Sequence, residues 1–186
     1  MRLFQTRSSE MFKVMILTTI VAIAPFVVSA AIIHVPADQP TIQAGIDAAV
    51  DGDTVLVADG TYTGDGNRDI DFKGKAITVT SENGAETCII DCQGSETENH
   101  RGFNFHQGET NESVVSGFTV QNGYVVTGDG SGVNCDFSSP TITKCIIYRN
   151  SAGYSGGGIN FHYSSNSTIS NCTFTKNTAF GRWDLL

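Results

Sequence analysis

Three side chains at a repeating position are the first candidates for chemistry. His106, Asp136 and His162 directly follow Phe105, Cys135 and Phe161 in the segments Gly102-Phe103-Asn104-Phe105, Gly132-Val133-Asn134-Cys135 and Gly158-Ile159-Asn160-Phe161. If these segments stack, two imidazoles and a carboxylate lie about 5 Å apart on one outward face. Such a column can hold a metal ion or share a proton. The plainer reading, and the one preferred, is the solvated polar column that any exposed face carries. Asn104, Asn134 and Asn160 form a parallel column suited to sugar hydroxyls, although few exposed aromatic residues are apparent to stack on a sugar ring. Asp65, Asp69 and Asp71 offer oxygen ligands of the kind Ca²⁺ takes, without the spacing of an EF-hand loop. The other reading of these acids is a polar turn followed by an edge strand. None of these groups implies a resident cofactor.

The five cysteines, Cys88, Cys92, Cys135, Cys145 and Cys172, each sit at an apolar strand position. An odd count forbids full pairing, and cysteine packs as a small hydrophobe, so core thiols are expected. A Cys145–Cys172 bridge between adjacent coils is the alternative, because neighbouring strands lie about 4.8 Å apart, inside the Cα range of disulfides. No CxxC pair is present to suggest a zinc site.

What must position these side chains is a repeat. Cys145 and Cys172, Ile142 and Ile169, and Asn150 and Asn177 are each 27 residues apart. Periods of 20–50 residues signal a solenoid. A strand that returns to the same sheet after one coil runs parallel to its predecessor, so equivalent residues stack in columns. The expected inward columns are Phe103/Val133/Ile159, Phe105/Cys135/Phe161, Val114/Ile142/Ile169, Gly117/Cys145/Cys172 and Thr119/Ile147/Phe174. Asn122, Asn150 and Asn177 are expected to stack at a turn, where asparagine tolerates a left-handed backbone. The strands expected first are 32–35, 54–58, 69–72, 76–81 and 88–92. Later coils read as 103–105 with 114–120, 133–137 with 142–148, and 159–163 with 169–174. This predicts an all-β parallel solenoid of about four coils. Pro40, then Ile42, Ile46, Ala49 and Val50 at helical spacing, predict one helix over 41–51. Its apolar stripe would cap the open first coil.

Residues 1–30 read as a secretory signal peptide. Arg2, Arg7 and Lys13 precede an apolar run over 14–28, and Val28-Ser29-Ala30-Ala31 offers small residues for cleavage. That run is shorter than the roughly 20 residues a spanning helix needs, so no membrane span is expected after cleavage. Removing residues 1–30 takes three of the 11 Lys and Arg and one of the 19 Asp and Glu, leaving a net charge of −10. An acidic surface disfavours nucleic acid and anionic membranes as partners.

The stretch from Val35-Pro36-Ala37-Asp38-Gln39-Pro40-Thr41-Ile42-Gln43-Ala44 to Gly60-Thr61-Tyr62 resembles the start of secreted right-handed parallel β-helix proteins of the pectin-lyase-like superfamily. Gly156-Gly157-Gly158-Ile159 and Cys172-Thr173-Phe174-Thr175-Lys176-Asn177 are similar to the GGGI and FxxN repeats of polymorphic outer-membrane proteins. The resemblance covers residues 32–179. It implies a right-handed parallel β-helix with an N-terminal capping helix, on a bacterial-type secreted or cell-surface protein. It implies little chemistry, because the superfamily hosts lyases, hydrolases, esterases and adhesins alike. The opening also resembles pectin methylesterases, whose Gln-Asp-Thr, Asp-Phe-Ile-Phe-Gly and Gly-Arg-Pro-Trp stretches are missing; Gly181-Arg182-Trp183 lacks the proline. The paired aspartates, Gly-His-Gly and Arg-x-Lys of polygalacturonases are missing too. Arg101, Lys144, Arg149 and Lys176 have no acidic cluster beside them of the kind polysaccharide lyases use.

The expectation is therefore an exported β-helix module, structural, adhesive or carbohydrate-contacting, with a polysaccharide or another surface protein as partner. The runner-up is a carbohydrate-active enzyme (polysaccharide lyase, hydrolase or pectin-esterase-like) or the N-terminal part of one. The last repeat ends at Ala179 without a further glycine-rich coil, so the β-helix domain, 31–186, is expected to be C-terminally truncated.

Overall fold

The computed structural model describes residues 29–163 and 165–181. The expected signal peptide thus falls almost wholly outside the described residues, as do residues 182–186. Within them the chain is a right-handed parallel β-solenoid. A six-stranded sheet takes one strand from each rung: Ile32–Val35, Thr54–Val57, Thr78–Ser81, Val114–Ser116, Thr141–Thr143 and Thr168–Ser170. A five-stranded sheet holds Gly60–Tyr62, Cys88–Asp91, Thr119–Gln121, Ile146–Tyr148 and Thr173–Thr175. A four-stranded sheet holds Ile70–Asp71, Phe103–Phe105, Val133–Asp136 and Ile159–His162. Tyr124–Val125, Ser151–Ala152 and Thr178–Ala179 form a short fourth face. Each neighbouring pair in these sheets is parallel.

About five turns are wound rather than four. The additional turn runs from Ile32–Val35 to Thr54–Val57, and Gly60–Tyr62 is a strand not among those expected. The stretches read as single strands over 114–120, 142–148 and 169–174 are each two strands around a corner. Gly117, Lys144 and Asn171 make that corner with φ of 78°, 53° and 54°, a left-handed conformation that few non-glycine residues adopt.

The columns Phe103/Val133/Ile159 and Phe105/Cys135/Phe161 stack as expected. The columns beginning at Val114 are displaced by one residue. Ile142 pairs with Val115, not Val114, and Ile147 with Val120, not Thr119. The same shift places Phe118 beneath Cys145 and Gly123 beneath Asn150, where Gly117 and Asn122 were expected. The period is 27 residues here as well, from Val115 to Ile142 and on to Ile169. Because side chains alternate faces, a slip of one residue turns an inward position outward: Val115 is buried and Val114 half-buried.

Phenylalanine fills the middle of the solenoid. Phe72, Phe103, Phe105 and Phe118 are fully buried, with ring centroids 4.8 to 6.3 Å apart. The last rung presents the same inward positions with no described rung above them, so Phe161 and Phe174 are 46% and 48% exposed. The last strand is Thr178–Ala179, and the N–H groups of Phe180 and Gly181 beyond it donate to the carbonyls of Ala152 and Tyr154.

The helix spans Ile42–Ala48 and covers the first rung through Ile42 and Ile46, both fully buried. Thr41 caps it, its hydroxyl accepting from the Ala44 N–H at 3.2 Å. The helix ends earlier than predicted. Ala49 turns extended, the Val50 N–H donates to Asp53 Oδ2 at 2.9 Å, and Val50 points to solvent. Lys75 Nζ then donates to the carbonyls of Ile46, Asp47 and Ala49, satisfying the helix C-terminus. Gln43 acts as a substitute strand: its Oε1 accepts from the Asp71 N–H at 2.9 Å and its Nε2 donates to the Asp71 carbonyl at 3.0 Å. Asp71 lies on the edge strand of the four-stranded sheet, so this contact blunts an edge that would otherwise pair elsewhere.

The aromatic stack is expected to dominate stability. Phe103→Ala should cost about 3–5 kcal/mol, read as a lower urea midpoint. A cost below about 1 kcal/mol would mean that the rings do not fill the core.

Candidate functional site

The four-stranded sheet sets the geometry of the candidate column. Its outward positions Asn104, Asn134 and Asn160 form a ladder of amides: Asn134 Nδ2 donates to Asn104 Oδ1 at 3.0 Å, and Asn160 Nδ2 to Asn134 Oδ1 at 3.1 Å. Both ends of the Asn134 amide are thereby engaged within the ladder. The next outward residues do not converge on one point. His106 Nε2 lies 3.4 Å from Asp71 Oδ2, on the rung below. His162 Nδ1 lies 3.6 Å from Asp136 Oδ1. The expected triad is thus two His–Asp pairs. No group of three or more His, Cys, Asp or Glu side chains able to hold a metal ion occurs among the described residues.

Asp65, Asp69 and Asp71 are likewise dispersed. Asp65 meets Arg68, while Asp69 accepts from the Arg101 N–H and contacts His100 Nδ1 at 2.6 Å. Asp71 accepts from the Lys73 N–H and from Gln107 Nε2. All five cysteines are free thiols, four of them buried.

One place further along the column lies a feature that the sequence reading missed. Phe137 and Tyr163 are 63% and 56% exposed, and their rings stack at 4.6 Å with planes only 8° apart. Both residues are left-handed, with φ of 48° and 46°. The Phe137 N–H donates to the His162 carbonyl, so the ladder carries straight through to this pair. The signal was present: continuing the Asp136/His162 column by one residue finds two aromatics in register. In a linear sequence an aromatic residue in a strand reads as core, so exposure is not visible there.

Phe137 lines a cleft of about 380 Å³ together with Thr110, Asn111, Ser139, Asn166 and Thr168; Gly108 and Glu109 complete it. Stacked turns build this cleft. The Ser139 N–H donates to the Glu109 carbonyl, the Thr141 hydroxyl to the Asn111 carbonyl, and the Asn166 N–H to Ser139 Oγ. Among the described residues the side-chain amides of Asn111 and Asn166 make no hydrogen bond, which leaves donors and acceptors free for a ligand. Among the described residues no lysine or arginine lines the cleft.

Glu109 holds the cleft together from behind. It is 2% exposed, with Oε1 accepting from the Gly74 N–H at 2.9 Å and Oε2 from the Gln107 N–H at 2.9 Å and the Ser138 hydroxyl at 2.7 Å. One carboxylate therefore joins the turns of three rungs. Burial pushes its pKa up, but the Gln107, Ser138 and Gly74 bonds outweigh burial and hold it below the ordinary value.

Residues 42–184 match the family model described as the right handed beta helix region. The chain belongs to that family. No curated protein and no solved structure matches it. The family accounts for the β-helix and its stacked turns and leaves the chemistry to side chains particular to this chain. No helix among the described residues is long and apolar enough to cross a membrane.

The Glu109 staple has a pH signature. Its folded pKa lies below the unfolded value of about 4.3, so its contribution is full above that value and is lost as pH falls through the folded pKa. Glu109→Gln should lower stability by about 2–3 kcal/mol at pH 7. The gap between variant and wild type should narrow in denaturation curves taken at successively lower pH below 4.3. A gap that stays constant down to pH 2 would contradict the assignment.

Proposed function

We propose that this β-helix is an exported, carbohydrate-contacting module and that the cleft beside Phe137 receives the sugar. The carrying observation is the exposed Phe137–Tyr163 stack, whose Phe137 lines a cleft with unpaired amides. Sugar rings present apolar C–H faces and a rim of hydroxyls. An aromatic face beside amide and hydroxyl groups matches both, and such pockets combine apolar walls with a few placed polar groups. A lining without basic residues, on a chain of net charge −8, favours neutral glycans over uronic-acid polymers. Export is supported by the basic and apolar pattern of residues 1–30 and by their small residues at the cleavage position.

Binding is favoured over cleavage because glycoside hydrolysis ordinarily uses two carboxyl groups flanking the bond. Among the described residues Glu109 is the one carboxylate in the lining, and both its oxygens are engaged by backbone and hydroxyl donors.

The test is a glycan array spanning neutral and acidic polysaccharides, followed by calorimetry and a reducing-sugar assay. Expected are retention on neutral glycans, no new reducing ends, and about tenfold weaker binding for Phe137→Ala, equivalent to about 1.4 kcal/mol. Because Phe137 is exposed, the variant should fold as the wild type does. Binding unchanged in the variant, or no glycan retained at all, would refute the proposal. Release of reducing ends would move the chain to the carbohydrate-active enzymes.

A further inference from the structure

We propose that Cys145 and Cys172 are a modification site: by thiol–disulfide exchange with a low-molecular-weight disulfide they form a bond that ties the last rung to the one beneath it. The strand register brings them together. Thr143 pairs with Ser170 and Ile146 with Thr173, so Cys172 stands directly above Cys145. The Thr173 N–H donates to the Cys145 carbonyl at 2.9 Å, which keeps the two backbones in ladder contact at this point. Each cysteine follows a left-handed corner residue, Lys144 or Asn171, with φ of 53° and 54°. The two Cα–Cβ bonds therefore leave the chain in the same direction. Adjacent strands are about 4.8 Å apart, within the 4.4–6.8 Å Cα range of disulfides.

The two thiols differ in a way that suits exchange. Cys145 is 1% exposed, and the adjacent Cys172 thiol, with burial second, raises its pKa. Cys172 is only partly buried, and the neighbouring Cys145 side chain holds its pKa below the ordinary thiol value. Cys172 is thus the attacking thiolate and Cys145 the resolving thiol. With oxidised glutathione, Cys172 Sγ bonds to one glutathione sulfur, the glutathione S–S bond breaks and one glutathione thiolate leaves. Cys145 then gives its proton to solvent and attacks Cys172 Sγ, expelling the second glutathione thiolate. Two protein thiols become one disulfide, and one glutathione disulfide becomes two thiols.

The other cysteines have no such neighbour. Cys88 pairs with Gly60, Cys135 lies between Phe105 and Phe161, and both are fully buried with pKa values pushed up to about 12. Cys92 is fully buried, and its pKa too is raised by burial. This inference does not rest on carbohydrate binding.

The full chain, reduced and freed of reductant, is exposed to oxidised glutathione, alkylated without unfolding, and mapped by peptide mass spectrometry. Expected is a Cys145–Cys172 linked peptide lacking two hydrogens, with Cys88, Cys92 and Cys135 alkylated only after denaturation. The oxidised chain should also unfold at a higher urea midpoint, and reductant should reverse the shift. Cys145→Ser should stop at a stable Cys172–glutathione mixed disulfide. If that variant does not fold, the wild-type map alone decides. A wild type that retains both thiols, stops at the glutathione adduct, or links any other pair overturns the proposal.

Discussion

Everything in this molecule depends on one constraint: each rung must lie on the rung below in a fixed register, because its backbone groups have no other partners. The parallel ladders satisfy the N–H and C=O groups of the strands, and the same spacing brings equivalent side chains to within contact. Once register is set, a residue's neighbours are its counterparts one period away. The phenylalanine core, the amide ladder, the Cys145/Cys172 stack and the Phe137/Tyr163 stack are all consequences of that rule.

Buried polar groups reinforce the register where apolar packing alone would allow sliding. Asn150 is fully buried, and its Oδ1 accepts from the Gly123 N–H at 2.8 Å while its Nδ2 reaches the Val120 carbonyl at 3.0 Å. Asn177 repeats the pattern one turn later, accepting from the Asn150 N–H and donating to the Ile147 carbonyl. A shift of one residue would leave these amides without their partners, at about 1–3 kcal/mol for each buried group left unsatisfied. Glu109 does the same work at the opposite turn with a charge. The devices at the first rung, Gln43 on the Asp71 edge and Lys75 on the helix end, address the complementary problem of a ladder that must begin somewhere.

Much of this was legible in the sequence. The 27-residue spacing from Ile142 to Ile169 and from Asn150 to Asn177 is enough to give a parallel solenoid, and Pro40 with Ile42 and Ile46 gives the capping helix. The slip at Val114 came from aligning the earlier coil one residue off its true period. In a strand of three residues with valine at both Val114 and Val115, hydrophobicity does not distinguish the inward residue. The corners were hidden for a different reason: Lys144 and Arg149 carry no local turn signature, and their left-handed conformation is imposed by the coil.

The candidate site was less legible. Asp136 and His162 pair in register, yet side-chain reach divides His106, Asp136 and His162 into separate pairs with the nearest aspartate. The cleft depends on turns from separate rungs, and Glu109 gives no sign in a linear reading that it will be buried.

The most direct test of the register is methyl-resolved NMR of the intact chain. Strong nuclear Overhauser contacts are expected between the methyls of Val115 and Ile142 and between those of Ile142 and Ile169. Contacts joining Ile142 to Val114 in place of Val115, or none between Ile142 and Ile169, would contradict the account.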